Sequence, residues 1–226
     1  MRQLGTMGNN LMSFTGLLEP AWHSVSASLL AALLTTLLAL PIAILIVRRP
    51  GRLSRLFEQI AYAGFALPGI VVALAFVFFG INVFPSLYQT LPMLLAAYVI
   101  LFIPQAIGAE RASLLQLSPA LGDAGRSLGR GPLAVFRRVT LPLVRPGLIG
   151  GALLVFLTAM KELPATLMLR PTGFETLATE MWSRTEVAAY GAAAPYALAL
   201  VLVAAVPAAL LARSVVPGRD GVRLAP

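Results

Sequence analysis

Residues 118–147 read SPALGDAGRSLGRGPLAVFRRVTLPLVRPG and carry five arginines: Arg126, Arg130, Arg137, Arg138 and Arg145. The sequence on either side is almost free of charge. Residues 59–109 contain no Asp, Glu, Lys or Arg, and residues 148–169 contain only Lys161 and Glu162. A helix needs about 20 mostly apolar residues to cross the hydrocarbon core of a bilayer. A basic segment broken by Gly and Pro between two such tracts is therefore a loop between membrane spans. That reading decides the fold.

Composition agrees. Of 226 residues, 58% are hydrophobic and 12% charged, with a mean hydropathy of +0.86. Soluble domains are less apolar and about twice as charged. The net charge of +8 comes mostly from arginines beside apolar runs, the pattern of membrane flanks. No basic-aromatic interleaving of the kind that binds nucleic acid is present. There is no Cys, so disulfides and thiolate metal sites are excluded.

The spacing predicts an all-α bundle of about five transmembrane helices, because in lipid each backbone polar group must be satisfied within its own segment. The expected spans are 24–47, 60–80, 92–109, 148–169 and 192–212, within a membrane domain of 21–213. A short outer-face segment precedes it at 1–20 and a cytoplasmic tail follows at 214–226. Arg48, Arg49, Arg52 and Arg55 follow the first span, and Arg213, Arg219 and Arg223 follow the last. The Arg-rich loops alternate with charge-poor ones and are cytoplasmic by the positive-inside rule. Five spans ending inside put the N-terminus outside, and 1–20 has no cleavable signal. The expectation is one half of a longer or paired protein. Each span holds an interior proline (Pro41, Pro68, Pro104, Pro164 and Pro207), which suggests bent helices.

The basic loop reads as two short helices around a glycine. Ser118 and Pro119 suit an N-cap and first helical position. Leu117, Leu121, Ala124 and Leu128 form one apolar stripe, and Gly129 sits where a helix-ending glycine takes positive φ. Pro132 opens a second helix with Leu133, Phe136 and Val139 beside Arg137 and Arg138. Leu141, Pro142 and Pro146 are expected to end it. The physical alternatives are docking to an acidic partner and rest on the anionic inner leaflet.

Inside the fourth span, Lys161 and Glu162 are expected at the substrate pathway or its gate, with Pro164 bending the helix just beyond. A fixed ion pair to another helix is the alternative. His23 reads as a helix-end residue at the interface rather than a metal ligand. No phosphate-gripping loop, metal-ligand cluster or nucleophile elbow is present, so catalysis by this chain is not expected.

The pattern Asp123-Ala124-Gly125, three residues, Gly129, nine residues, Val139-x-Leu141-Pro142 resembles the EAA loop of ATP-binding-cassette (ABC) importer permeases. In that family the pattern is Glu-Ala-Ala, three residues, Gly, nine residues, Ile-x-Leu-Pro. The departures are mild, although Gly125 lowers helix propensity by about 1 kcal/mol against Ala. The segments ALPGIVVALAF (66–76) and MKELPATLMLRPTGFETLA (160–178) also resemble the C-terminal half of ferric-iron permeases.

The resemblance implies the type I ABC importer permease fold in a bacterial inner membrane. It makes 113–147 a coupling loop, with Asp123, Ala124, Gly125, Leu128, Gly129, Leu133, Phe136, Arg137, Val139, Leu141 and Pro142 facing an ATPase. Partners are then a cytoplasmic ABC ATPase dimer, a periplasmic or lipoprotein substrate-binding protein, a second permease half and membrane lipid, with no nucleic acid. The chain itself binds no cofactor, and ATP sits on the ATPase. Ferric iron is the expected substrate. Thiamine, sulfate or molybdate, polyamine and phosphonate are rivals within the class, and a carrier or scaffold without an ATPase is the rival outside it.

Overall fold

The computed structural model describes residues 15–118, 120, 121, 127 and 129–215, and among them the regular structure is helical throughout. In chain order the helices are α1 (Thr15–Arg48), α2 (Arg52–Ala66), α3 (Gly69–Asn82), α4 (Leu91–Leu115), α5 (Pro132–Met160), α6 (Pro164–Leu169), α7 (Leu177–Glu186) and α8 (Tyr190–Val215). Four of these, α1, α4, α5 and α8, are long and apolar enough to cross a membrane, and α2 with α3 makes a fifth if that bent pair is one span.

The core is a bundle of α1, α4 and α5. Its helices approach closely because the facing positions are small. Along α1, Ser24, Ala27, Ser28, Ala31, Thr35, Ala39 and Ala43 are buried at spacings of three and four, while Leu29, Leu33 and Leu37 on other faces are exposed to the lipid level. Between membrane helices hydrophobic burial offers little, so small residues that permit close packing take its place. The α4/α5 contact shows this at Gly147, where an added Cβ would overlap the Ser113 side chain. Thr158 also donates to Gln105 across this pair at 3.1 Å.

Several expected boundaries are corrected. Residues 15–20, assigned to an outer segment, already belong to α1. Pro20 removes the hydrogen bond that Gly16 O would accept, and the Tyr196 hydroxyl on α8 lies 3.5 Å from that carbonyl instead. The second span is not a single helix: α2 and α3 meet at 104° across Leu67 and Pro68. Pro68 lacks the N–H that would continue α2, and its fixed φ caps α3.

The fourth span is interrupted too, since α5 ends at Met160 and α6 begins afresh at Pro164. Finally, Leu141, Pro142 and Pro146 do not end the helix begun at Pro132. Residues Phe136–Thr140 form a π turn in which Leu141 N–H donates to Phe136 O five residues back. The wider turn absorbs the ring of Pro142 and the helix runs on to Met160.

Candidate coupling surface and intramembrane break

At the inner end, Ser118 Oγ accepts from Ala120 N–H at 3.3 Å, the contact of an N-cap. Leu117 packs against a small buried cluster of Ala43, Leu114 and Val144. Leu121 is exposed. Of the residues expected to couple, Asp123, Ala124, Gly125 and Leu128 lie outside the described residues. Gly129 has φ 74°, the left-handed conformation a chain reversal requires, and open space surrounds its Cα.

Beyond it Pro132 opens α5. Leu133 is 68% exposed, and with Gly131, Pro132, Ala134, Arg137 and Arg138 it lines a shallow depression of about 710 Å³. Phe136 and Val139 are half-buried and Val135 is the buried residue of this turn. An apolar knob rimmed by two guanidinium groups is thus presented on the first turns of a helix that continues through the π turn, past Leu141 and Pro142, into the core. At 1.5 Å per residue its 29 residues reach about 43 Å.

The far end of that helix is the break at residues 161–163. Lys161 is exposed and Glu162 half-buried. The Glu162 carboxylate accepts from Ala165 N–H at 3.1 Å, which satisfies one orphan donor at the start of α6. Its Oε1 also lies 3.1 Å from where a Cβ on Gly69 would stand, at the start of α3. The carboxylate therefore sits where the beginnings of two interrupted helices meet, and α3 packs along α6. Pro164 occupies the first turn of a new helix rather than bending an unbroken one.

A hydroxyl relay fixes α6 to the core. Thr166 Oγ1 donates to Glu162 O at 2.5 Å, so its single proton is committed. The Tyr98 hydroxyl, 2.5 Å from the same oxygen, must then be the donor to it. The two residues are 2% and 0% exposed.

Glu110 is an acid within the long apolar helix α4. It is 1% exposed, and among the described residues neither carboxylate oxygen has a hydrogen-bond partner. Sequence reasoning ended the third span at 109 and so missed it. Its adjacency to the charge-free run 59–109 was the available signal.

On the outer side, the segment between α6 and α7 is pinned to α1. His23 stacks on Phe174 with centroids 4.2 Å apart, its Nδ1 lies 2.9 Å from Glu175 O, and Ser24 Oγ accepts from Leu177 N–H at 2.8 Å. Arg170 pairs with Glu175, and Arg184 with Glu180 at 2.8 Å. Burial lowers the Arg170 pKa, and the Glu180 carboxylate opposes that shift. His23 is thereby engaged in a structural contact. Among the described residues no three metal-ligating side chains converge.

The family model for binding-protein-dependent transport system inner membrane components matches residues 21–217. The chain is 41% identical over 208 residues to the Fe(3+)-transport system permease protein FbpB 2 of Haemophilus influenzae, covering 92% of this chain and 41% of that protein. It thus spans about two-fifths of that relative's length. A spermidine/putrescine transport system permease protein PotC homolog from Mycoplasma genitalium is 26% identical, covering 78% of this chain and 69% of its own. A chain of the MetNI methionine ABC transporter, solved in inward-facing conformations, shares the fold with a TM-score of 0.70 at 20% identity, covering 87% of this chain and 93% of that one. The helical order and the matched residues therefore place the chain among the binding-protein-dependent transport system inner membrane components, the family to which it belongs.

Proposed function

We propose that this chain is the membrane half of an ABC importer for ferric iron. It provides part of the pathway and transmits the work of a partner ATPase dimer to it. The 41% identity to a ferric-iron permease, extending over 92% of the chain, is the observation that carries the substrate. In this reading the surface from Gly129 to Val139 seats in the ATPase, with Leu133 as its apolar contact and Arg137 and Arg138 as its charged rim. Asp123, Ala124, Gly125 and Leu128, which lie outside the described residues, belong to the same proposed coupling set. ATP stays on the partner, and this chain holds no cofactor.

Closure of the ATPase dimer moves the inner end of α5. Because α5 is continuous from Pro132 to Met160, the displacement reaches the break at 161–163 without a hinge between. There Lys161, Glu162 and Pro164 form the candidate gate, with α3 and α6 as the moving pair. A substrate-binding protein delivers iron from the outer side, and a second permease half completes the path.

The test is reconstitution of the complete transporter in vesicles with its ATPase and binding protein. ATP-dependent uptake of labelled ferric iron is expected, and it should be lost in Gly129→Asp while the protein still inserts. Uptake of a polyamine in place of iron would overturn the substrate, in the direction of the spermidine/putrescine relative. Uptake untouched by Gly129→Asp would overturn the coupling role.

A further inference from the structure

Helices α2 and α4 approach closely at Gly64, where an added Cβ would stand 2.8 Å from the Ile100 carbonyl oxygen. Toward the inner side the contacts pass from backbone to side-chain tips. The Tyr62 hydroxyl lies over Gly108, and Glu58 is ion-paired with Arg111. The wedge between the helices is a cavity of about 360 Å³ lined by Arg55, Glu58, Gln59, Tyr62 and Arg111.

Most of its donors are uncommitted. Glu58 neutralises one guanidinium. Arg55 uses only Nε, on Gly51 O at 3.4 Å, and Gln59 and Tyr62 hydrogen-bond to nothing among the described residues. What remains is one surplus positive charge with an amide and a phenol hydroxyl beside it. That set suits a single anion with several acceptor oxygens, as a phosphate has.

The depth and the walls favour a lipid. Arg111 lies one turn before the inner end of α4, and α2 begins just after Arg48 and Arg49. On the opposite face of α2, Leu53, Leu56, Phe57 and Ile60 are all exposed, as a helix flank in hydrocarbon would be. Above the wedge the surface turns apolar, with Phe65 64% and Ile100 43% exposed. A free phosphate would gain nothing from those walls, whereas acyl chains would.

We infer that the α2/α4 wedge binds an anionic phospholipid of the inner leaflet, its phosphate held by Arg55, Gln59, Tyr62 and Arg111. This site is separate from the coupling surface and does not depend on the iron reading.

Native mass spectrometry of the full chain in mild detergent, titrated with phosphatidylglycerol or phosphatidylcholine, tests it. One phosphatidylglycerol is expected to be retained at least about ten-fold better than phosphatidylcholine. Arg55→Gln and Tyr62→Phe should each weaken retention several-fold, whereas Arg52→Gln, on the same helix outside the wedge, should not. Both arginines are exposed, so neither change threatens the fold, and the elution profile checks that. Equal weakening by Arg52→Gln would mean diffuse attraction and overturn the site. Equal retention of phosphatidylcholine, or displacement of the lipid by millimolar inorganic phosphate, would overturn the lipid assignment.

Discussion

Single residues carry two features that composition conceals. Glu110 places a carboxylate without a hydrogen-bond partner inside the α4 face of the core. A buried acid without a partner costs stability, and apolar replacement of similar size removes the cost. Glu110→Met is expected to stabilise the detergent-solubilised protein by about 1–3 kcal/mol, seen as a higher melting temperature. Glu110→Gln, which stays polar, should give less. A lower melting temperature in the Met variant would show that Glu110 is paired in the assembled transporter. Gly129 carries the opposite kind of constraint. Its φ of 74° is open in space but strained for any residue with a Cβ. Gly129→Ala should cost about 1 kcal/mol locally and reduce coupled transport modestly, well short of the loss expected from Asp, in a paired uptake and ATP-hydrolysis assay.

At the scale of elements, the apolar tracts and the arginine-rich ends were legible, because hydrocarbon thickness and loop charge leave direct marks on a sequence. The breaks were not. Pro68 and Pro164 read as bends within single spans, yet each opens a new helix. Whether a proline kinks or terminates depends on what satisfies the freed backbone groups, here Glu162 at the start of α6, and that is a tertiary fact. Pro142 misled in the other direction, since a π turn lets the helix continue through it. The turn predicts its own test. In Pro142→Ala the reason for the wide turn is gone, and residues 136–140 are expected to settle into regular α-helix, rotating Leu133 and Arg137 relative to the core. ATP-driven uptake should fall several-fold with insertion unchanged. Full uptake would mean that the orientation of the first turns of α5 is not set by Pro142. The close seam of α4 and α5 offers a control of another kind: Gly147→Val should destabilise the bundle by about 1–3 kcal/mol through overpacking, and Ser113→Gly should restore part of it.

Across the whole molecule, α1, α4 and α5 form one packed body, and the α3/α6 pair lies beside it between two breaks. Among the described residues, a polar tie from α6 to that body is the Tyr98–Thr166 contact, and Thr166 at once holds the Glu162 backbone. In the coupling proposed above, motion delivered along α5 would arrive at this junction, whose stiffness would set how much reaches the α3/α6 pair. Thr166→Val keeps the shape and removes the hydroxyl from both bonds. The local loss should be about 1–2 kcal/mol, small against bundle stability. In the reconstituted transporter, labelled substrate moved per ATP hydrolysed is expected to drop several-fold while hydrolysis itself persists. Tyr98→Phe, which removes only the outer donor and leaves the bond to Glu162, should fall between the variant and the parent. Both rates falling together would mean that the tie holds the fold and does not transmit motion, and transmission would then have to run through apolar packing of α6 against α3.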